Sequence, residues 1–179
     1  MSRRAGDIMI PLAKYPHILP NITIRDAITI MEQASIERNG KFSLPRALLV
    51  FDEDYHPLGI VRRRDILKGL EPKFLKTMSH VHRKQMFEIE VDPDLVDLGG
   101  GRLGRTVHEQ AKQAVSNVMM PIKSTVNFDD RIAKIIYKMV HHDLNLLPVI
   151  KDEKVVGVVR SVDVFHEIAR ELMGKDYNP

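Results

Sequence analysis

The chain has 179 residues, 44% of them apolar and 28% charged, which is enough for one domain or two small ones. Its 27 lysines and arginines nearly balance 24 aspartates and glutamates, so the one-sided charge of a nucleic-acid-binding surface is not expected. The sequence contains no cysteine, which excludes disulfides, thiolate metal sites and cysteine nucleophiles.

The opening of the chain does not have the pattern of a signal peptide, because Asp7 and Pro11 interrupt its short apolar stretch. No later apolar run approaches the roughly 18 to 20 residues that a membrane helix needs. We therefore expect a cytoplasmic protein without a membrane partner.

Two related segments follow each other in the chain, and each opens with an extended stretch and an amphipathic helix. Residues 7–11, DIMIP, resemble residues 117–121, NVMMP. Helical spacing of apolar residues then predicts one helix after Asn21 and another after Asp129, both of them residue types that cap helix N-termini. The expected buried stripes are Ile24, Ala27, Ile28 and Met31 in the first helix, and Ile132, Ile135, Ile136, Met139 and Val140 in the second.

A hairpin of two strands is predicted after each of these helices. Residues 46–51 and 145–150 have the length and the apolar composition of buried strands. An acidic turn leads from each of them to a second strand, which contains Gly59 in the first segment and Gly157 in the second. The order of helix, strand and strand is therefore the same in both segments.

Each segment ends with a strand-to-helix corner, and the two corners have the same sequence pattern. Residues 59–67 read GIVRRRDIL and residues 157–165 read GVVRSVDVF, so an aspartate follows the glycine at the same distance in both. A final helix is clearest in the second segment, where Gly174 marks its end. Its expected apolar stripe is Val164, Phe165, Ile168 and Leu172.

The ordered set of an MxP opening, a helix, a hairpin and a glycine-to-aspartate corner resembles the CBS domain, named after cystathionine beta-synthase. Two copies in one chain resemble the tandem CBS pair. The resemblance implies an α/β (α+β) fold in which two CBS repeats, each a small sheet with flanking helices, pack around a pseudo-twofold axis. We place repeat 1 at residues 1–70, an insert or linker at residues 71–114, and repeat 2 at residues 115–179.

The chain departs from the family pattern at two places. Residues 35–45 are extra in the first copy, and we expect them to reshape its cleft. The insert at residues 71–114 is too long for a passive loop. Within it, residues 86–91 alternate like an edge strand and residues 99–105, GGGRLGR, predict a flexible turn. Both a disordered connector and an arm that binds a partner or organises a dimer are compatible with this pattern.

The resemblance implies that the clefts between the repeats bind an adenosine-containing ligand, either AMP, ADP or ATP, or S-adenosylmethionine or NAD. Asp65 and Asp163 would hold the ribose, because a carboxylate offers two acceptor oxygens to two neighbouring hydroxyl groups. Ser161 would face the phosphate at a helix start. Arg63 stands at the matching position of the first copy, where it or a neighbouring arginine would favour ADP or ATP over AMP.

The same resemblance assigns further residues to the cleft walls. They are Lys123, Ser124 and Thr125, as phosphate or ribose contacts, and Leu146 and Pro148, beside the adenine. Each of these roles has a structural alternative. The aspartates would then only stabilise the first turn of a helix, and the arginines at 62–64 would be a run of solvated surface residues. Residues 123–125 would be a polar loop, and Leu146 would be an ordinary core residue.

We predict a stand-alone regulatory module and not an enzyme, since the sequence has no nucleophile beside a base. The histidine spacings at 80, 82, 141 and 142 do not suggest a metal site, and no cofactor is expected apart from a regulatory nucleotide. The resemblance also implies a homodimer, through apolar faces at residues 165–172 and 24–31, and a regulated protein that the sequence does not identify.

Two other functions are compatible with the sequence. The first is a non-catalytic regulatory subunit of a separate enzyme. The second is a nucleic-acid-associated regulator, although no DNA-reading motif is present. The cations available for that second function are Arg3, Arg4, Arg62, Arg63, Arg64, Arg102 and Arg105.

Overall fold

The computed structural model describes residues 3–38, 40–71 and 100–174 of the chain. The helices in these ranges are α1 (Ala5–Ile8), α2 (Ile24–Gln33), α3 (Arg63–Leu70), α4 (Gly100–Gln110), α5 (Ile132–His141) and α6 (Ser161–Met173). The strands are β1 (Ile10–Pro11), β2 (His17–Ile18), β3 (Ile36–Arg38), β4 (Lys41–Ser43), β5 (Ala47–Phe51), β6 (Pro57–Arg62), β7 (Met120–Pro121), β8 (Val126–Asn127), β9 (Leu146–Lys151) and β10 (Lys154–Arg160). The predicted order of helix, strand, strand and helix is confirmed in both repeats.

Most of the strands form two mixed sheets of four strands each. The first sheet has the order β2-β5-β6-β7 and the second has the order β1-β10-β9-β8. The hairpins β5-β6 and β9-β10 are antiparallel, whereas β2 and β8 run parallel to their neighbours. The second sheet thus contains β1 from repeat 1, and the first sheet contains β7 from repeat 2. Each repeat gives its opening strand to the sheet of the other.

The glycine of each repeated corner makes this exchange possible. Neither Gly59 nor Gly157 has a positive φ, so conformational freedom is not the reason for glycine. A Cβ atom on Gly157 would lie 2.4 Å from the carbonyl oxygen of Ile10 in β1. A Cβ atom on Gly59 would lie 2.7 Å from the carbonyl oxygen of Met120 in β7. Both positions require glycine because the opening strand of the other repeat passes directly beside the backbone.

The core consists of three layers that follow from the alternation along the central strands. In β5, Leu48 and Val50 face α2 and α3, while Leu49 and Phe51 face the second sheet. In β9, Leu147 packs against α5 and α6 in the same way. The middle layer lies between the two sheets and joins the repeats. Its buried residues are Ile10, Tyr15, Ile36, Ala47, Leu49, Phe51, Leu146 and Val158.

The opening segments also reach into the helical layers of the opposite repeats. Ala5 and Ile8 of α1 are buried in the core of repeat 2. Val115 is buried in the core of repeat 1, where Val118 and Met119 pack against it. Burial of these apolar side chains stabilises the pairing of the repeats by the hydrophobic effect. The two repeats therefore share their cores as well as their sheets.

Several details differ from the sequence prediction. Helix α2 begins after Thr23, whose hydroxyl accepts a hydrogen bond from the Asp26 amide, and not at Asn21. Helix α5 begins after Arg131 and not at Asp129. The stripes at Ile24, Ala27 and Met31 and at Ile132, Ile135 and Met139 are buried as predicted, with Ile28 and Ile136 partly buried.

Three apolar residues of the predicted stripes lie on the surface. Val140 is 78% exposed, Phe165 is 66% exposed and Leu172 is 81% exposed. The prediction was wrong for Val140, because a helix that packs on one layer buries only a narrow stripe. Phe165 and Leu172 belong to the apolar face at residues 165–172 that was considered for a dimer contact. Val164 and Ile168 fill the buried stripe in α6. Gly174 ends α6 as predicted, with a φ of 84°.

The flexible turn predicted at residues 99–105 is wrong over its described part, because α4 runs from Gly100 to Gln110. The predicted strand at residues 86–91, together with His80 and His82, lies outside the described residues. The extra residues of the first copy form the hairpin β3-β4, which buries Ile36 between the sheets. No helix in the described part of the chain is long and apolar enough to span a membrane.

We predict that Gly157→Ala destabilises the protein by about 1 to 3 kcal/mol, the usual cost of inserting a methyl group into a filled space. The methyl group would separate β1 from β10, since it meets backbone and not a flexible side chain. Urea unfolding monitored by circular dichroism measures this loss.

Gly104→Ala is the matched control, because a Cβ atom at Gly104 in α4 has no heavy atom within 4 Å. We expect it to leave stability unchanged or to raise it by up to about 1 kcal/mol through helix propensity. Equal stability of Gly157→Ala and the wild type would show that the close approach of β1 is not required.

Candidate functional site

The two corner aspartates occupy the same structural position in the two repeats. Asp65 and Asp163 are each the third residue of a helix, α3 or α6, and both side chains are buried. The position just before each helix is an arginine, Arg62 or Arg160. Arginine has no acceptor atom and cannot cap the free amides of the first turn as serine or threonine does.

Arg160 binds both carboxylate oxygens of Asp163. Its Nε donates to Oδ2 at 2.8 Å and its Nη2 donates to Oδ1 at 2.7 Å. The backbone amide of Arg160 donates to Oδ2 as well, at 3.2 Å. The carboxylate of Asp163 is fully buried and the Arg160 side chain is only 16% exposed, so this ion pair is largely removed from water.

Arg62 and Asp65 form the corresponding pair in repeat 1, which is more open to solvent. Nε of Arg62 donates to Oδ2 at 2.8 Å, Nη2 donates to Oδ1 at 2.9 Å, and the amide donates to Oδ2 at 3.0 Å. The Arg62 side chain is 44% exposed. Burial alone would raise the pKa of Asp65, but the hydrogen bonds from Arg62 outweigh it and hold that pKa below its ordinary value.

The Arg160–Asp163 pair lies at the boundary between the repeats. Nη1 of Arg160 donates to Oγ of Ser43, at the end of the hairpin β3-β4 in repeat 1, at 3.1 Å. Tyr15, also from repeat 1, is close enough for its pKa to respond to both charges. Its hydroxyl donates to the carbonyl oxygen of Ala47 at 2.8 Å, and burial raises its pKa. The guanidinium that binds the Asp163 carboxylate thus also contacts a residue of the other repeat.

Two connecting segments cross between the sheets. Residues 12–16 lead from β1 in the second sheet to β2 in the first, and residues 122–125 lead from β7 in the first sheet to β8 in the second. The second segment contains three predicted site residues. Lys123 is exposed, while Ser124 and Thr125 are half-buried. The carbonyl oxygen of Thr125 accepts a hydrogen bond from Nζ of Lys138 in α5.

The other predicted site residues flank the same corners. Ser161 and Arg63 are the first residues of α6 and α3, and both are exposed. Leu146 is opposite Arg160 in the β9-β10 register and is buried between the sheets. Pro148 is buried opposite Val158, one residue before the stretch of β9 that pairs with β8.

Sequence reasoning did not identify Arg62 and Arg160 as site residues. The signal was present, because an arginine precedes each corner aspartate at the same i, i+3 spacing. Ser161 and Arg63, the residues predicted instead, stand one position after these arginines. The structure assigns the position before each helix to the arginines, and Ser161 and Arg63 begin the helices themselves.

Several cations that a nucleic-acid-binding surface would use are engaged in ion pairs. Arg3 donates to Glu167 in α6, Arg4 donates to Asp129, and Arg62 donates to Asp65. Arg63 and Arg64 are exposed. Within the described ranges, histidine, aspartate and glutamate do not cluster in a way that could hold a metal ion.

A surface groove of about 420 Å³ lies between α2 and α4, away from the predicted site residues. It is lined by Arg25, Ile28, Thr29, Val107, His108 and Ala111. Three of these six residues are apolar, and Arg25 is exposed. The insert therefore contributes one wall of a groove on repeat 1 through α4.

A family model for the CBS domain matches residues 5–72 and again residues 115–170. The two matched stretches coincide with the two repeats seen in the sheets, and together they cover more than half of the chain. No curated protein sequence matches this chain significantly.

Several solved structures share the fold at low sequence identity. The CBS-pair protein CBSX2 from Arabidopsis thaliana has a TM-score of 0.65 and 15% identity, covering 97% of this chain and 99% of that chain. CBSX2 in complex with AMP has a TM-score of 0.60 and 17% identity, covering 96% and 98%. The cytosolic domain of the Mg²⁺ channel MgtE in complex with ATP has a TM-score of 0.58 and 18% identity, covering 92% of this chain and 48% of that chain.

We predict that Asp65→Asn lowers the free energy of unfolding at pH 7 by about 1 to 2 kcal/mol, because Arg62 loses its charged partner in a partly solvated pair. The lowered pKa of Asp65 means that the native state favours the carboxylate. Its contribution is complete above the unfolded pKa, about 4, and is lost as the pH falls through the lower folded pKa.

Urea titrations of the wild type and the variant from pH 7 to pH 3 test this. The stability difference between them should shrink below about pH 4. Asp129→Asn is the control, because Asp129 has an exposed side chain and we expect no comparable pH dependence. A difference that stays constant down to pH 3 would contradict an ionised role for Asp65.

Proposed function

The chain belongs to the CBS domain family and is a tandem pair of such domains, and we propose that it is a non-catalytic regulatory module that binds an adenosine nucleotide between its repeats. The observation that carries this proposal is the pairing of the Asp163 carboxylate with Arg160 of repeat 2, whose guanidinium also donates to Ser43 of repeat 1. A ligand bound there contacts both repeats. The AMP complex of CBSX2 and the ATP complex of the MgtE domain support the choice of ligand.

In this proposal the ribose binds at Asp163, and Ser161 and the segment Lys123, Ser124 and Thr125 contact the phosphate or ribose. Leu146 and Pro148, both buried on β9, flank the adenine. A second cleft uses Asp65 and Arg63 in repeat 1. S-adenosylmethionine and NAD are the alternative adenosine-containing ligands for either cleft.

Binding regulates by changing how the two repeats sit against each other, or how two chains associate. Such a ligand must bind one of the two arrangements more tightly than the other. The middle core layer and the exchanged strands join the repeats into one body. A change at the Arg160–Asp163 pair is therefore transmitted to both sheets.

A homodimer is part of the proposal, and its contact surface is the exposed apolar face of α6. Phe165, Leu172 and Met173 are exposed there, and Tyr137 and Val140 are exposed on the neighbouring α5. Residues 24–31 were the other dimer surface considered from the sequence. Their apolar stripe packs inside the core of repeat 1, so it is not available for a dimer contact. A second copy of the chain would cover the face of α5 and α6.

We expect AMP to raise the melting temperature of the protein, since a ligand present at about 100 times its Kd adds about 2.7 kcal/mol of stability. The proposed contact between the ribose and the Asp163 carboxylate also predicts how the affinity changes when a ribose hydroxyl is removed. 2′-Deoxy-AMP should bind about 10 to 100 times more weakly than AMP, as expected for the loss of one charge-assisted hydrogen bond. Isothermal titration calorimetry measures both affinities.

Asp163→Asn locates this contact. The variant should reduce the ratio of AMP to 2′-deoxy-AMP affinity to within about threefold of unity, because the charged acceptor is gone. Asp129→Asn should keep the wild-type ratio. If Asp163→Asn binds AMP and still discriminates like the wild type, the ribose does not lie at Asp163.

Phe165→Glu should shift the protein from dimer to monomer, because it places a charge in the apolar contact. Sedimentation velocity over a range of concentrations measures the association state. Phe42→Glu is the control, since Phe42 is equally exposed but lies on the hairpin β3-β4. An unchanged sedimentation coefficient in Phe165→Glu would exclude this face.

A further inference from the structure

The Arg160–Asp163 pair leaves little free acceptor capacity on the carboxylate that the proposed function assigns to the ribose. A carboxylate has about four lone-pair sites. Three hydrogen bonds, two from the guanidinium and one from the amide of Arg160, already occupy Asp163. A ribose that takes both oxygens therefore displaces the guanidinium.

A neutral ribose is a poor replacement for this guanidinium. Asp163 is fully buried and Arg160 is nearly so. Separating a buried ion pair without compensation leaves two desolvated charges, which is strongly unfavourable. A ribose diol donates two hydrogen bonds to the carboxylate but offers no negative charge to the arginine. Adenosine alone therefore leaves Arg160 without an anionic partner.

A nucleotide supplies the missing partner in the same molecule. Phosphate oxygens accept paired hydrogen bonds from guanidinium as well as a carboxylate does. Nη1 of Arg160 already points away from Asp163 toward Ser43 of repeat 1, so the guanidinium reaches beyond its own aspartate. With the ribose on Asp163 and a phosphate on Arg160, both charges remain paired.

We infer that Arg160 makes the Asp163 site specific for phosphorylated nucleosides, an inference that rests on the proposed function. Arg160 does so by exchanging its aspartate partner for the phosphate of the ligand. The site takes 5′-nucleotides and rejects the neutral nucleoside. Arg160 is thus a specificity-determining residue, and its hydrogen bond to Ser43 is the contact between repeats that the exchange alters.

The Arg62–Asp65 pair makes the same exchange with less selectivity. Arg62 is 44% exposed, compared with 16% for Arg160, so water stabilises the guanidinium when it leaves its aspartate. Asp143 of repeat 2 is also close enough to attract it electrostatically. The cleft at Asp65 therefore accepts a neutral nucleoside more readily than the cleft at Asp163.

The test is Arg160→Ser in the full chain, with AMP and adenosine titrated separately by calorimetry. Serine at this position restores a capping box with Asp163, Ser-x-x-Asp, so the start of α6 keeps a good cap. The wild type should bind AMP at least about 30-fold more tightly than adenosine. In Arg160→Ser, adenosine should bind about tenfold more tightly than in the wild type and AMP about tenfold more weakly, so the preference is lost.

Arg170→Ser is the matched control, because Arg170 also forms an i, i+3 ion pair on α6, with Glu167, but lies away from the corner. It should keep the wild-type preference for AMP. Arg62→Ser should change the preference less than Arg160→Ser does. Melting temperatures of all variants establish that they are folded under the conditions of the titration.

The possible outcomes separate this inference from the proposed function. If the wild type binds AMP and Arg160→Ser retains the preference for AMP over adenosine, Arg160 is not the specificity residue and the inference is overturned while the proposed function stands. If the wild type binds adenosine as tightly as AMP, the inference also fails. If neither compound binds any variant, the proposed function fails and the inference fails with it.

Discussion

The exchange of opening strands between the repeats is the constraint on which the rest of the structure depends. Strand β1 completes the second sheet and β7 completes the first, so neither sheet has its four strands without the other repeat. Gly59 and Gly157 permit this, because any side chain at either position would collide with the carbonyl oxygen of the exchanged strand. The segments that follow those strands then have to cross from one sheet to the other. The space between the repeats is lined by both of them as a direct consequence.

The order of elements was predictable from the sequence because it depends on local patterns that occur twice. The length and apolar composition of residues 46–51 identify a buried strand, and the helical stripe at Ile132, Ile135 and Met139 identifies a helix with one buried face. The strand exchange was not predictable, since the pairing of Ile10 with Val158 depends on contacts far apart in the chain. Gly59 and Gly157 indicated that another part of the backbone passes close by, but not which strand it is. The exposure of Val140 was not predictable either, because periodicity does not tell how wide the buried stripe of a helix is.

The sequence located the two corner aspartates but not their arginine partners. The repeated aspartates predicted two equivalent strand-to-helix corners, and both lie at the start of a helix. Their partners were missed because the usual residue before a helix is a small polar one, and an arginine there has no role in capping. Burial explains the arginine. Asp163 is desolvated by the layer between the sheets, and a buried carboxylate needs a charged or multiply hydrogen-bonded partner. Asp163 therefore lies in the first turn of a helix and also pairs with Arg160. The same carboxylate would serve both the structural role and the proposed contact with the ribose.

The two corners share a sequence pattern but not an environment, and the difference originates in the extra residues of repeat 1. The hairpin β3-β4 brings Ser43 to Arg160 and buries Ile36 in the middle layer. Repeat 2 has no hairpin at the matching place, where a tight turn through Asp143 leads into β9. Arg160 is consequently shielded by residues of the other repeat, while Arg62 remains partly in water. Because the two pairs have nearly the same geometry and the energy of an ion pair depends strongly on its solvent exposure, they differ in how strongly they hold their aspartates. An insertion of a few residues thus makes two similar corners energetically unequal without changing the motif that defines them.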